Sequence, residues 1–123
     1  ETGLNRWISR GKNVEFVGKD QALNEFSEGE NALQKTLVTL DITDAEVEAN
    51  GYEPIWSKNN ERIGMTTSGG YGHNVDKSLA MAFVKPEFSE PGIELKTHIV
   101  GEEKDCIVLG NSPWDPKGLR MRS

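Results

Sequence analysis

The sequence lacks the features of a secreted or membrane-bound protein. It contains one cysteine, Cys106, which excludes an internal disulfide and favours a reducing compartment. No apolar run approaches the roughly 20 residues that a membrane-spanning helix needs. The first residues also lack a basic stretch followed by an apolar one, so we predict no secretory signal and no membrane partner.

Basic residues and metal ligands are also scarce. The chain has 14 Lys and Arg against 20 Asp and Glu, for a formal net charge of −6. Duplex-binding proteins gather their bases on one face, whereas here the bases are scattered, with a local excess only at Lys117, Arg120 and Arg122. We therefore predict no nucleic-acid partner. Two histidines and one cysteine are too few for a typical metal site, and we predict none.

The composition is that of one ordinary folded domain. Charged residues make up 28% of the 123 residues and hydrophobic residues 35%, which is typical of a globular chain with one core. The chain opens with Glu-Thr-Gly-Leu and no methionine. We take this opening to indicate a piece cut from a longer chain.

A short helix is predicted before a series of strands. Ala22, Leu23 and Phe26 fall at helical spacing, Asp20 lies in the first turn, and Gly29 can end the helix, so we expect a helix over residues 19–28. Beyond it, the apolar period changes from helical spacing to two. The strand candidates are residues 35–42, 53–57, 62–67, 79–85, 94–100 and 105–109.

The strand pattern predicts an antiparallel architecture. Val38, Leu40 and Ile42 alternate onto one face of the first strand, and Asn59 and Asn60 predict a hairpin turn after the second. Six strand candidates without βαβ alternation indicate an antiparallel barrel or a sandwich. Periodicity alone leaves both open.

Residues 62–84 are the most informative segment. We expect an extended run to enter a loop that contains Gly69, Gly70 and Gly72, where the backbone turns with positive φ or approaches another group closely. Tyr71 and His73 would then lie in this loop. A loop on a rigid scaffold can contact substrate, and His73 can hydrogen-bond a ligand, but more often such a loop packs against a neighbouring domain.

Several fragments in the right order resemble one known family, the C-terminal barrel of the glycine-cleavage T-protein (aminomethyltransferase) family. Its Gly-x-Glu-Pro strand, its Gly-x-Val-Thr-Ser-Gly-Gly segment and its Pro-Gly-Thr-x-Leu strand resemble residues 51–55, 64–70 and 91–95. Residues 1–23 resemble its junction with the folate-binding body, and residues 112–120 its final Asp-Pro…Arg segment. Residues 71–80 look most like the corresponding segment in the dimethylglycine and sarcosine dehydrogenase branch of the family.

This resemblance implies a fold and a setting. It favours a six-stranded antiparallel Greek-key barrel with a short N-terminal helix over a sandwich. Residues 1–30 would form the junction and the helix, and residues 31–123 would form the barrel. The parent would use tetrahydrofolate to accept a one-carbon unit from a small methylated amine or a lipoyl carrier, with FAD in a further upstream domain if it is a dehydrogenase. The expected location is the cytoplasm, or the mitochondrial matrix in a eukaryote.

The resemblance also implies site residues. The catalytic groups would lie in the upstream folate-binding lobes, so we assign no catalytic residue here. Arg120 and Arg122 are candidates to hold the carboxylate tail of the folate, although a basic chain end has the same appearance. Tyr71 and His73 are the other candidates to line the folate channel.

Other residues have simpler interpretations. Cys106, beside Ile107 and Val108, is predicted to be core, although His98 is a conceivable base for it. Trp7 and Trp114 are candidates for a surface that another domain covers. Two alternative functions remain: a free-standing, non-catalytic binding or assembly module with the same barrel, and a T-protein-like demethylase that acts on a sulfonium substrate.

Overall fold

One helix precedes six strands in the computed structural model, which describes residues 1–11, 13–29, 33–110 and 112–122. Short 3-10 turns lie at Leu4–Trp7 and Pro86–Phe88. The main elements are α1 (Lys19–Glu28), β1 (Thr36–Ile42), β2 (Pro54–Ser57), β3 (Arg62–Gly72), β4 (Lys77–Val84), β5 (Glu94–Ile99) and β6 (Glu102–Leu109).

The six strands close into a barrel in the order β1-β4-β3-β2-β5-β6, and β6 pairs with β1. All pairs are antiparallel. Strands β2, β3 and β4 are joined by hairpins and β1 lies beside β4, which is the Greek-key arrangement. In the turn between β2 and β3, Asn60 takes the left-handed conformation with φ 60°. The predicted fold class and this hairpin are therefore confirmed.

The barrel interior holds the core. Val38, Leu40 and Ile42 of β1 are all buried, as their alternation predicts, because successive side chains of a strand point to opposite faces. The other buried apolar residues are Ala49, Ile55, Ile63, Ala80, Ala82, Val84, Leu95, Ile99, Cys106 and Val108. Buried hydroxyls form hydrogen bonds inside the barrel: Thr97 donates to the Pro54 carbonyl at 3.2 Å.

Helix α1 has the bounds predicted for it, residues 19–28. It begins after Gly18 and ends before Gly29, and both glycines have positive φ. No residue of α1 is buried, so little of its surface packs on the barrel. The predicted domain boundary at residues 30 and 31 lies outside the described residues. Within the described part, no helix is long and apolar enough to cross a membrane.

The prediction of a glycine loop is wrong. Gly69, Gly70 and Gly72 belong to β3, which continues past the predicted end at residue 67 and pairs with β4 up to Gly72 opposite Lys77. A register shift between Thr66 and Ser68 lets β3 keep pairing, and none of the three glycines has positive φ. Close approach is the reason at Gly69, where an added Cβ would lie 2.4 Å from the Ala49 carbonyl oxygen.

Candidate functional site

Tyr71 and His73 come together at the end of β3. Their rings lie edge to face with centroids 5.0 Å apart. The β3–β4 turn holds them: the Gly72 carbonyl accepts from the amides of Val75 and Asp76, each at 2.9 Å. Tyr71 is in strand β3 and His73 is in the turn that follows it. The strand end and the turn bring the two residues together, and the predicted glycine loop does not.

The Tyr71 hydroxyl is a hydrogen-bond donor. It donates to the Asp76 carboxylate across the turn. This hydrogen bond, with smaller contributions from burial and from the Asp76 charge, raises the pKa of Tyr71 above its usual range. The phenol therefore stays protonated near neutral pH and cannot act as a base there. Asp76, which orients it, was not identified from the sequence.

Arg120 lies in an ordered C-terminal turn. Its guanidinium stacks over the Trp114 ring at 5.0 Å from the ring centroid. The Asp115 carboxylate accepts from the amides of Leu119 at 2.9 Å and Arg120 at 3.0 Å. Sequence reasoning missed Asp115 as the organising residue, although an aspartate that caps the amides of a following turn is a recognisable signal.

Arg122 is less constrained than Arg120. Its amide donates to the Leu119 carbonyl at 3.1 Å, and its side chain is exposed. Of the two candidate arginines, Arg120 is the one whose guanidinium is oriented by a ring. A positioned guanidinium loses less side-chain entropy when it binds a carboxylate.

A shallow cleft lies between the glycine segment of β3 and the C-terminal segment. It has a volume of about 360 Å³ and lies on the outer face of β1, β3 and β4. Gly69 and Gly70 form part of one wall, and Ser112 and Pro113 form part of the other. Tyr71, His73, Arg120 and Arg122 are not among the residues that line this cleft.

A second ordered feature is a carboxylate clamp beside the glycine strand. The Glu53 carboxylate accepts from the amides of Asn50 at 2.8 Å and Gly51 at 2.9 Å, and from the Thr66 hydroxyl. Burial opposes the charge of Glu53, yet the hydrogen bonds from Thr66 and the two amides outweigh it, so its pKa lies below its usual range. The clamp fixes the 43–53 connection against β3.

Exposed apolar side chains gather near both chain ends. Trp7, Val14 and Phe16 line a cleft of about 370 Å³ with Ile8. Trp7 is 73% exposed, whereas Trp114 is 43% exposed. Arg10 stacks over Phe26 of α1 at 4.5 Å from the ring centroid, which ties this segment to the helix.

Cys106 is a core residue and His98 is not its base. Cys106 is buried opposite Leu95 in the β5–β6 ladder, whereas His98 is exposed on the outer face opposite Glu103. Burial, followed by the Asp105 charge, raises the pKa of the Cys106 thiol to about 12, so it does not form a thiolate at neutral pH. Among the described residues no three His, Cys, Asp or Glu side chains converge to hold a metal.

The structural class is a closed, six-stranded Greek-key barrel flanked by segments with exposed apolar side chains. The family model of the glycine cleavage T-protein C-terminal barrel domain matches residues 35–115. The chain belongs to this family.

Relatives are found in two groups of proteins. Human mitochondrial dimethylglycine dehydrogenase is 33% identical over 109 residues, which cover 89% of this chain and 12% of the dehydrogenase. A probable aminomethyltransferase from Thermococcus kodakarensis is 33% identical over 103 residues, which cover 84% of this chain and 25% of that protein. The chain thus spans an eighth to a quarter of these relatives.

A solved structure agrees with the fold. The glycine cleavage system aminomethyltransferase T from Bartonella henselae superposes with a TM-score of 0.75 over 89% of this chain and 30% of that one. At 22% identity, this likeness supports the barrel fold and not a shared activity.

Proposed function

We propose that this chain is the C-terminal barrel domain of a tetrahydrofolate-dependent one-carbon transferase. The observation that carries the proposal is the family match over residues 35–115, together with relatives named aminomethyltransferase and dimethylglycine dehydrogenase. The transferred unit would be an aminomethyl or methyl group from a lipoyl carrier or a small methylated amine. In a dehydrogenase-type parent, an upstream domain would carry FAD.

In this proposal the barrel packs against upstream folate-binding lobes of the same polypeptide. Support comes from the exposed apolar side chains near the chain ends, among them Trp7, Val14 and Leu119, which a covering surface would remove from water. The reacting groups would belong to the lobes. The barrel would form a wall of the folate channel and keep water out of it.

Arg120 is the proposed anionic anchor and Arg122 its neighbour. A guanidinium can hold the carboxylate tail of folate through paired hydrogen bonds, and the stacking of Arg120 on Trp114 supports this role for it. Tyr71 and His73 would line the channel beside the cleft. Tyr71 would act as a hydrogen-bond donor, since its pKa is raised by Asp76.

The expected location is the cytoplasm, or the mitochondrial matrix if the organism is a eukaryote. The mammalian dimethylglycine dehydrogenases among the relatives are named as mitochondrial proteins. Fractionation of cells followed by detection of the native product would test this location directly.

The first experiment is the length of the native gene product, measured with an antibody against the barrel. An aminomethyltransferase-type parent should have about 400 residues, because 103 aligned residues are 25% of that relative. A dehydrogenase-type parent should have about 900 residues, because 109 aligned residues are 12% of that one. A product of 13.6 kDa would contain no folate lobes, and the chain would then be a free-standing binding module.

The second experiment measures tetrahydrofolate binding by that native protein. Arg120→Gln should raise the dissociation constant about tenfold, since it removes one charge-assisted contact. Lys117→Gln is the matched control, because it removes a positive charge from the same tail. An unchanged dissociation constant in Arg120→Gln would remove the anchor from the proposal. No binding of folate by the unsubstituted protein would overturn the proposed function.

A further inference from the structure

Two cations of the barrel differ from the others because they have no carboxylate partner. Neither Lys35 nor Arg62 forms an ion pair with a carboxylate of the described residues, and both are exposed. The other cations of the strands and their connections are all paired, as Lys96 is with Glu103 at 2.7 Å. These paired residues are Lys58, Lys77, Lys85, Lys96 and Lys104.

Both of these cations line one groove on the outside of the barrel. The groove has a volume of about 310 Å³. The Lys35 ammonium lies over the Phe83 ring, 4.8 Å from its centroid. Lys85 also lines the groove, and Glu61 pairs with it. We call this site the Met65–Phe83 groove, and its lining includes Lys35, Arg62, Gly64, Met65, Phe83 and Lys85.

The floor of the Met65–Phe83 groove is apolar and belongs to the outer face of the sheet. Phe83 of β4 pairs with Leu37 of β1 on one side and with Met65 of β3 on the other. Ala82 and Val84, before and after Phe83, are buried in the barrel, so the Phe83 side chain points outward. Phe83 and Met65 are only half-buried. The floor therefore offers apolar surface that the core does not use.

A partner must recognise this groove through side chains. Strand β4 pairs with β1 over residues 78–84 and with β3 over residues 77–84, so no edge is open here for an added strand. An apolar side chain complements the floor. Carboxylates complement Lys35 and Arg62, and a guanidinium can bind a carboxylate through two hydrogen bonds. Because the whole chain carries a net charge of −6, an acidic partner would be repelled elsewhere and oriented toward this groove.

We propose that the Met65–Phe83 groove binds an acidic segment of a separate protein. One large apolar side chain of that segment would cover Met65 and Phe83, and its carboxylates would pair with Lys35 and Arg62. The clefts near the N-terminus, which include Trp7 and Phe26, share no lining residue with this groove. We therefore assign the groove to a partner other than the folate-binding lobes. This inference does not depend on folate binding or on the one-carbon reaction.

The experiment is an NMR titration of the 123-residue chain with the peptide Gly-Glu-Glu-Phe-Glu-Glu-Gly. We expect amide shifts at residues 34–37, 62–65 and 83–85, and weaker binding at higher salt. A peptide with lysine for glutamate should not bind. A peptide with alanine for phenylalanine should bind at least about fivefold more weakly, since it leaves the floor of the groove uncovered.

Two double variants separate the groove from the overall charge. Lys35→Gln, Arg62→Gln should raise the dissociation constant of the peptide at least about tenfold, because both charge-assisted contacts are lost. Lys58→Gln, Lys96→Gln is the matched control, since it removes two positive charges from elsewhere on the barrel, and it should change the constant by less than about twofold. Unchanged amide spectra away from the substitutions show that both variants are folded.

Other results would overturn the proposal. These are absence of peptide binding, undiminished binding by the Lys35→Gln, Arg62→Gln variant, an equal loss in the control variant, and amide shifts centred on the basic residues 117–122. The native gene product must bind the peptide as well, which fluorescence anisotropy of a labelled peptide measures. If it did not, another part of the same polypeptide would cover the groove, and a separate partner would be excluded.

Discussion

The barrel and its flanking segments use apolar residues in opposite ways. All the buried apolar residues of the described chain lie in the strands or in the 43–53 connection, and α1 has none. Most of the large exposed apolar residues lie outside the barrel, and these are Leu4, Trp7, Val14, Phe16, Val17, Trp114, Leu119 and Met121. The barrel therefore buries its own apolar side chains, whereas the flanking segments leave theirs exposed to solvent.

The largest expected effect is in the barrel core. Leu40 is fully buried, so Leu40→Ala should lower the free energy of unfolding by about 3 kcal/mol through lost burial and a cavity. Val17→Ala, at a fully exposed position, should change it by less than about 0.5 kcal/mol. Urea unfolding followed by tryptophan fluorescence measures both. Similar losses in the two variants would break the contrast between barrel and flanking segment.

A smaller effect separates two adjacent glycines of β3. An added Cβ at Gly69 would lie 2.4 Å from the Ala49 carbonyl oxygen, whereas none of the described atoms lies within 4 Å of one at Gly70. Gly69→Ala should therefore displace the 43–53 connection and cost about 2 kcal/mol. Gly70→Ala should be within about 0.5 kcal/mol of the parent. Thermal unfolding of both variants measures this difference. Equal stabilities would exclude close approach of Ala49 as the reason for a glycine at position 69.

The smallest effect concerns the Glu53 clamp and depends on pH. Because its folded-state pKa is lowered, Glu53 stabilises the fold above its unfolded pKa, and this contribution is lost as the pH falls through the folded pKa. Glu53→Gln should cost about 1.5 kcal/mol at pH 7 and much less in acid. The free energies of unfolding at pH 7 and near pH 3 measure the difference between variant and parent.

Glu48→Gln is the matched control for the clamp, since Glu48 is an exposed carboxylate on the same connection. It should leave the pH profile of stability unchanged. If Glu53→Gln and Glu48→Gln gave the same profile, the acidic connection as a whole would be responsible rather than the clamp. Different profiles for the two variants would show that the Glu53 clamp itself holds the 43–53 connection on the barrel.

The antiparallel strands were predictable because their signals are local and repeated, whereas the choice of a barrel over a sandwich came from the family resemblance. The alternation of Val38, Leu40 and Ile42 identified a half-buried strand, and Asn60 identified a hairpin turn, since both depend on neighbouring residues alone. The glycine segment was misread for the same reason. A glycine that permits close approach and a glycine that permits positive φ look alike in sequence, and only the position of Ala49 distinguishes them.

The candidate site was predictable only in part. Tyr71, His73, Arg120 and Arg122 were selected, but the side chains that orient them were not. Asp76 acts across a turn and Asp115 acts through the amides of a following turn. These contacts depend on backbone geometry, which the residue types do not reveal. The roles of the four residues toward folate stay predictions.

By itself the sequence determined the antiparallel strands, the faces of β1 and the position of the helix, because periodicity and local turn preferences are properties of neighbouring residues. Its motifs added the family resemblance, which chose a barrel over a sandwich. Only the tertiary structure decided which distant segments meet. It brought Ala49 against Gly69 and linked Glu53 to Thr66. The physical reason is that closing a barrel sets the register of every strand pair at once, and that register decides all contacts between residues far apart in the chain.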